Sequence, residues 1–130
     1  MKILVSACLL GENCKYSGGN NYNQAVCDFA RGHQVVPVCP EVLGGLPTPR
    51  CPAEIVQGVV TNKEGINVDR EFRAGAAKAL AIAKENRVEL AILQSRSPSC
   101  GVKEIYDGTF SGTKIPGQGV FAKMLMDEGI

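Results

Sequence analysis

Residues 2–7 read Lys-Ile-Leu-Val-Ser-Ala, a short apolar run that leads directly into Cys8. Two similar runs follow, Gln-Val-Val-Pro-Val at 34–38 and Glu-Leu-Ala-Ile-Leu-Gln at 89–94. Short, continuous apolar runs of this kind are typical of strands that are buried on both faces of a sheet. We therefore predict that the three runs belong to one mostly parallel sheet.

Helical patterns separate and follow these runs, as the crossovers of a parallel sheet require. The clearest pattern has Asp69 as its N-cap, runs to about Asn86 and places apolar side chains on one face at spacings of three and four, namely Phe72, Ala76, Leu80 and Ala83. Shorter helices are predicted at 23–31 and 120–128. We predict an α/β fold, a small single domain over residues 1–130 whose sheet is covered by helices in a Rossmann-like three-layer arrangement.

The rest of the chain is predicted to be less regular. Residues 55–61 and 65–68, joined by residues 62–64, indicate a hairpin or an excursion at the edge of the sheet. Residues 39–52 contain four prolines and a Gly-Gly pair, which interrupt every regular pattern. The polar, glycine-rich residues 11–23 and 106–119 are predicted to be loops.

Composition excludes several classes of protein. Lys and Arg together number 14 against 13 Asp and Glu, so the net charge of +1 shows no basic excess of the kind that marks nucleic-acid-binding domains. Trp is absent and only seven aromatic residues are present, which argues against a stacking platform for single strands. The apolar runs fall far short of the roughly 20 residues that span a membrane. A small molecule is therefore the expected partner and a membrane is excluded, while nucleic acid is disfavoured but stays open because a local basic patch is compatible with the net charge; the sequence indicates no oligomeric state.

Six cysteines in 130 residues are many for a chain that is long enough to fold without cross-links. The segment between Lys2 and Cys8 is shorter than the apolar region of a signal peptide, so we expect a cytoplasmic protein with reduced thiols. No two cysteines have the C-x-x-C spacing of zinc ribbons and thioredoxins. Metal binding or thiol chemistry is then favoured over disulfides, although a structural zinc site stays open.

Three of the cysteines share one predicted position, just after a strand of the sheet: Cys8, Cys39 and Cys100. The carboxyl ends of parallel strands meet at one edge, where ligands bind, so the topology brings these residues together. Three converging thiolates suit an iron–sulfur cluster with one iron left without a protein ligand. The other three lie in a polar loop, in a helix and between Arg50 and Pro52, with no position in common: Cys14, Cys27 and Cys51.

Five motifs, in order along nearly the whole chain, resemble those of a small bacterial and archaeal family, formerly a domain of unknown function, that contains the thiouracil desulfidases. They are Ser6-Ala7-Cys8-Leu9-Leu10-Gly11, Cys39-Pro40-Glu41, Gly44-Gly45-Leu46-Pro47-Thr48-Pro49-Arg50, Ser97-Pro98-Ser99-Cys100-Gly101 and Ile105-Tyr106-Asp107-Gly108-Thr109-Phe110. The resemblance implies an enzyme that removes sulfur from a thiolated uracil, giving uracil and sulfide. It also implies a [4Fe-4S] cluster on Cys8, Cys39 and Cys100, with one iron not bound by protein.

By the same resemblance the catalytic residues are Glu41 and Ser97. Glu41 suits a base that takes a proton from water, or else it caps the turn that follows Cys39. Ser97 suits a hydrogen-bond donor to the substrate, or else it forms a turn before Pro98. We expect Arg50 and Ser99 to bind substrate, with pairing to Glu41 as the other role for Arg50.

Two departures from the family pattern leave open which thiolated compound this member prefers. Family members commonly have Arg and Asp where this chain has Lys15 and Ser17, and they usually lack Cys51. The sequence does not choose between 2-thiouracil and 4-thiouracil or between free base and nucleoside. Two alternative functions stay open, a non-catalytic metal or sulfur carrier and a disulfide-stabilised binding domain.

Overall fold

A computed structural model describes residues 1–130, with four helices and seven strands. They follow one another as β1 Lys2–Ser6, α1 Gln24–Ala30, β2 Gln34–Val38, α2 Pro40–Leu43, β3 Ala53–Val56, β4 Val59–Asn62, α3 Asp69–Glu85, β5 Leu90–Ile92, β6 Glu104–Tyr106, β7 Lys114–Pro116 and α4 Val120–Asp127. A short 3-10 helix, Ala7–Leu10, continues β1. No helix is both long and apolar enough to cross a membrane.

The centre of the fold is a three-stranded parallel sheet in the order β2-β1-β5. In the register of the sheet, Ile3 of β1 lies beside Val35 of β2 on one side and Leu90 of β5 on the other. All three strands therefore end at the same edge, as the sequence predicts. The small α/β domain with a parallel sheet is confirmed, and two antiparallel hairpins, β3-β4 and β6-β7, stand outside the sheet.

Successive side chains of β1 point to opposite faces of the sheet and enter two separate apolar cores. Leu4 packs into the larger core with Phe72 of α3 and Phe121 of α4. Ile3 and Val5 pack into the smaller core, which α1 covers. The buried face of α3 carries alanines that let the helix approach its neighbours closely, namely Ala76, Ala79 and Ala83. Helices thus cover both faces of the sheet.

Helix α2 lies against α3 through two glycines, and this contact places the segment that follows Cys39. A Cβ on Gly75 of α3 would lie 1.8 Å from the carbonyl oxygen of Pro40. A Cβ on Gly44, which follows α2, would lie 2.0 Å from the carbonyl oxygen of Glu71. Real Cβ atoms do not approach other atoms this closely, so only glycine allows the two backbones to meet.

Three predictions for the less regular segments are wrong. Residues 39–52 include a helix, α2, because Pro40 occupies its first turn, where a proline is favoured rather than disruptive. The hairpin turns at Gln57 and Gly58, both with positive φ, so its strands are β3 and β4; residues 65–68 form no strand, although they return antiparallel to β4 through an isolated bridge between Thr61 and Asn67. The predicted loop at 106–119 includes β7, which pairs with β6.

The predicted start of α3 shifts by one residue. Val68 is the N-cap, and Asp69 is the first helical residue. The Asp69 carboxylate accepts a hydrogen bond from the Val60 N–H of β4 at 3.0 Å and from Arg73 Nε at 2.7 Å. Asp69 therefore ties the start of the helix to the β3-β4 hairpin instead of capping the helix.

Candidate active site

The carboxyl edge of the parallel sheet opens into a cavity of about 490 Å³. Residues after each strand line it: Cys8 after β1, Cys39 after β2, and Gln94 through Pro98 after β5. The β3-β4 hairpin and the segment after β6 complete the wall. The predicted meeting of strand ends is thus present as a concave site.

All three cysteines that the sequence groups together line this cavity. Cys8 lies in the 3-10 helix after β1, Cys39 is the N-cap of α2, and Cys100 is buried with 4% of its surface exposed. No cysteine of the chain forms a disulfide. Three free thiols from distant parts of the sequence therefore face one space.

The structure adds Cys14 to this group, although the sequence separates it from the others. The loop that contains Cys14 folds back over the sheet edge, where Asn21 donates its backbone N–H to the Cys8 carbonyl at 3.0 Å. The Cys14 carbonyl accepts hydrogen bonds from the Cys39 thiol at 3.7 Å and from Arg50 at 2.9 Å. Cys14 also lines the cavity, so four sulfur atoms are available there.

The two remaining cysteines lie outside the cavity wall. Cys27 is in α1, and its thiol contacts the carbonyl of Leu9 at 3.9 Å. Cys51 is half-buried in the segment before β3. Neither residue is among those that line the cavity, so Cys27 provides a matched control for substitution of the others.

The buried thiols at the cavity resist ionisation. Burial raises the pKa of Cys100 to about 12, although the hydroxyls of Ser6 and Ser99 act in the opposite direction. Burial, followed by the neighbouring Cys39, raises the pKa of Cys14 to about 12, and burial likewise raises the pKa of Cys8. A bound cation stabilises thiolates, so crowded sulfur donors of this kind suit a positively charged metal centre.

The sulfur donors fit an iron–sulfur cluster better than a single metal ion. No three side chains of the His, Cys, Asp and Glu types stand close enough to surround one ion. A structural zinc ion requires about four ligands around one centre. Thiolates bind a cluster at different irons and need not surround one ion, which matches thiols that line a common cavity.

Glu41 and Arg50 form an ion pair at the cavity wall. The distance from Arg50 Nε to Glu41 Oε1 is 3.4 Å, and the two side chains are only 7% and 18% exposed. Burial raises the pKa of the Glu41 carboxyl, while Arg50 opposes the increase. Of the two roles considered for Arg50, the pairing with Glu41 is therefore present, and the guanidinium also holds the Cys14 carbonyl.

Ser97 has the turn-forming role that the sequence left open, and its role as a donor to the substrate stays a prediction. Its Oγ accepts hydrogen bonds from the N–H groups of Ser99 and Cys100, both at 3.0 Å, so it shapes the turn that carries Cys100. A hydroxyl oxygen has two lone pairs and one proton. The Ser97 O–H therefore remains free to donate, and Ser97 lines the cavity.

Ser99 does not lie where a substrate-binding residue should. It is 0% exposed and is not among the residues that line the cavity. Its carbonyl accepts the N–H groups of Phe121 and Ala122 at the start of α4. The turn buries this side chain in the protein, so its position does not support the predicted contact of Ser99 with substrate, which stays a prediction.

Sequence reasoning missed several residues of the wall, including Tyr16, Lys63, Arg96, Tyr106 and Phe110. Tyr106 and Phe110 belong to the fifth motif of the resemblance, which carried no role for them. Their place in the cavity wall depends on how the segment after β6 folds against the rest of the protein, and no local sequence pattern indicates that.

The fold and the cavity together define a small α/β protein with a ligand site lined by thiols at the carboxyl edge of a parallel sheet. A sequence profile of the 2-thiouracil desulfurase family matches residues 3–130. The chain therefore belongs to this family, and the resemblance stated from its motifs is confirmed.

Two similar proteins cover almost the whole chain. The uncharacterized protein YbbK of Bacillus subtilis (strain 168) is 42% identical in an alignment of 137 positions that covers 98% of this chain and 91% of that protein. The solved structure of the [4Fe-4S]-dependent thiouracil desulfidase TudS has a TM-score of 0.92 and 39% identity, covering 99% of this chain and 87% of that one. The family and its solved structural relative both point to desulfidase activity.

Proposed function

We propose that this protein is an iron–sulfur-dependent desulfidase that converts thiolated pyrimidines such as thiouracil into uracil and sulfide. Family membership over residues 3–130, joined to the thiol-lined cavity, is the observation that carries the proposal. The substrate proposed is a small thiolated base or nucleoside. The proposal treats residues 1–130 as one domain of Rossmann-like, three-layer form, which the packing of α1 opposite α3 and α4 supports.

The proposed ligands of a [4Fe-4S] cluster are Cys8, Cys39 and Cys100. They are supported by the common cavity that they line and by the positions of the first two at strand ends. The cluster, when bound, supplies an iron without a protein ligand, which is a Lewis acid with affinity for soft thiocarbonyl sulfur.

The proposed reaction exchanges sulfur for oxygen without a change of oxidation state. The oxygen of water forms a bond to the ring carbon, the carbon–sulfur bond breaks, and the sulfur leaves as sulfide. Glu41 takes the proton from the attacking water, because it is the carboxylate beside Cys39 and faces the cavity. Arg50 holds one oxygen of that carboxylate through the 3.4 Å contact. Ser97 donates its free O–H to the substrate or to the departing sulfur.

Anaerobic reconstitution followed by iron and sulfide analysis tests the cluster. The wild-type protein and Cys27→Ser should take up iron and acid-labile sulfide, whereas Cys39→Ser should lose most of both. Absence of uptake by the wild-type protein with all thiols reduced would contradict the proposal. Purified protein that contains zinc and turns over no thiolated base would favour the alternative of a metal or sulfur carrier.

The proposed base is tested separately from the cluster. Glu41→Ala should keep the absorbance of the cluster yet release sulfide from 2-thiouracil about a hundred-fold more slowly, in line with the usual contribution of a positioned base. An unimpaired Glu41→Ala variant would remove this residue from the reaction.

A further inference from the structure

Aromatic residues are concentrated at the cavity. The chain has seven in total, and three of them line this one site: Tyr16, Tyr106 and Phe110. The faces of a flat heteroaromatic ring need apolar or aromatic partners, and its polar edge needs hydrogen bonds. Glu41, Ser97 and the cysteines provide polar and sulfur groups, so the aromatic residues are the natural partners for the faces of the ring.

Phe110 is held in a conformation that a phenylalanine seldom adopts. Its φ is 57°, in the left-handed region that disfavours residues other than glycine, asparagine and aspartate. Strain of this type persists only where surrounding contacts impose it, and it is concentrated at ligand sites. The contacts that hold the segment 107–112 therefore decide where the Phe110 ring lies.

Glu54 of β3 provides those contacts. Its Oε1 accepts the backbone N–H of Gly108 at 3.0 Å and that of Phe110 at 3.2 Å. Gly108 lies directly on β3, since a Cβ at this position would be 2.7 Å from the Ile55 carbonyl oxygen. Glu54 is 9% exposed and takes part in none of the ion pairs of the protein. The buried carboxylate is thus used to hold the backbone around Phe110.

We propose that Phe110 packs against the face of the thiolated pyrimidine ring and that Glu54 is the positioning residue that fixes it there. This inference rests on the proposed function and assigns the ring-binding wall of the same site. Glu54 acts as a hydrogen-bond acceptor, and a neutral acceptor of the same shape should replace it. Neither residue takes part in the proton transfer or in holding the cluster.

Steady-state sulfide release from 2-thiouracil by the reconstituted protein tests both assignments. Phe110→Ala should raise KM about ten-fold, the range found when an aromatic residue that stacks on a base is removed, with kcat changed less than about two-fold. Phe29→Ala is the matched control, because Phe29 is 48% exposed and lies outside the cavity. Binding of uracil to each variant, measured by calorimetry, gives a second readout that needs no turnover.

Two substitutions separate positioning from charge. Glu54→Ala should raise KM as Phe110→Ala does, and the double variant should be no worse than either single one. Glu54→Gln keeps a side-chain oxygen that accepts the two N–H groups, so its KM should stay within about two-fold of the wild-type value. If Glu54→Gln raises KM to the same extent as Glu54→Ala, the carboxylate acts through its charge and the positioning role is overturned.

The outcomes distinguish this inference from the proposed function. A wild-type protein that binds a cluster and releases no sulfide contradicts the function itself. An active wild-type protein whose KM and uracil affinity are unchanged in Phe110→Ala contradicts only the ring-binding wall.

Discussion

The contact between α2 and α3 gives the sharpest prediction for this fold, because it connects a buried glycine to the active site. Gly75→Ala would place a Cβ 1.8 Å from the carbonyl oxygen of Pro40, the residue between Cys39 and Glu41. Cβ atoms in proteins stay beyond 3.0 Å from such atoms, so α2 must move by about 1.2 Å. The opposing group is backbone, which cannot rotate away as a side chain would.

Two effects of Gly75→Ala on stability have opposite signs. Alanine in a helix is favoured over glycine by about 1 kcal/mol. Overpacking of a close contact costs about 1–3 kcal/mol, and the short distance here places this substitution at the upper end. We expect a net loss of about 2 kcal/mol in the free energy of unfolding, seen as a decrease of several degrees in Tm.

The effect of Gly75→Ala on activity should exceed its effect on stability. A shift of about 1 Å in a catalytic group lowers the rate by up to about a hundred-fold, and α2 carries Glu41. Sulfide release and thermal unfolding are measured together, with Ala74→Gly as control, since Ala74 is exposed in the same helix and the change costs about 1 kcal/mol without moving α2. A Gly75→Ala protein that is more stable and fully active would refute the reasoning.

Three further predictions concern the thiols and the charged side chains. Cys14→Ser should retain the iron of the reconstituted protein, since Cys14 is outside the proposed ligand set; loss of iron on anaerobic analysis would make it a ligand. Arg50→Met should lower the free energy of unfolding in urea by about 3 kcal/mol, because Glu41 is left as a buried charge, and adding Glu41→Gln should restore much of the loss; equal instability of the double variant would argue against the ion pair. For Asp69, burial acts to raise the pKa, but hydrogen bonds from the helix and from β4 outweigh it and hold the pKa below its usual value. Its stabilisation is then present above about pH 4 and is lost as the pH falls through the lower folded-state pKa. Asp69→Asn should cost about 1–2 kcal/mol at pH 7 and little at pH 2, whereas Asp127→Asn at an exposed pair should show neither effect.

The parallel sheet could be predicted because each of its strands is a short apolar run that is recognisable in the sequence by itself. The runs at 2–7, 34–38 and 89–94 are short and mostly apolar, which indicates strands of a covered sheet, although only the central strand β1 is buried at nearly every position and the edge strands β2 and β5 are largely half-buried or exposed. Strand β7 has no such signal, because Lys114–Pro116 is three residues long and exposed at every position. The sequence did not predict helix α2, because a proline disfavours a helix everywhere except in its first turn, and the sequence alone does not show that Pro40 begins the helix.

The residues of the candidate site also fall into those that the sequence could predict and those that it could not. Cys8 and Cys39 could be predicted at one edge because they directly follow β1 and β2, and Cys100 could be predicted near that edge because its segment follows β5, although the turn shaped by Ser97 sets its place. Cys14 and Phe110 could not, because their places depend on contacts between distant segments. The Arg50 bond to the Cys14 carbonyl joins residues 36 apart, and the Glu54 bond to the Phe110 N–H joins residues 56 apart.

Part of the cavity wall is placed by strand ends and part by contacts between distant loops, and the two parts should respond differently to substitution. The sheet edge supports the proposed cluster ligands through ladder hydrogen bonds and two apolar cores, which single surface changes do not disturb. The opposite wall depends on two buried charged side chains, Arg50 and Glu54, that each hold backbone groups of a distant loop. Substitutions at these two residues should therefore alter substrate affinity while iron content is retained, and changes of the substrate within the family should arise in the loops before they reach the strand ends.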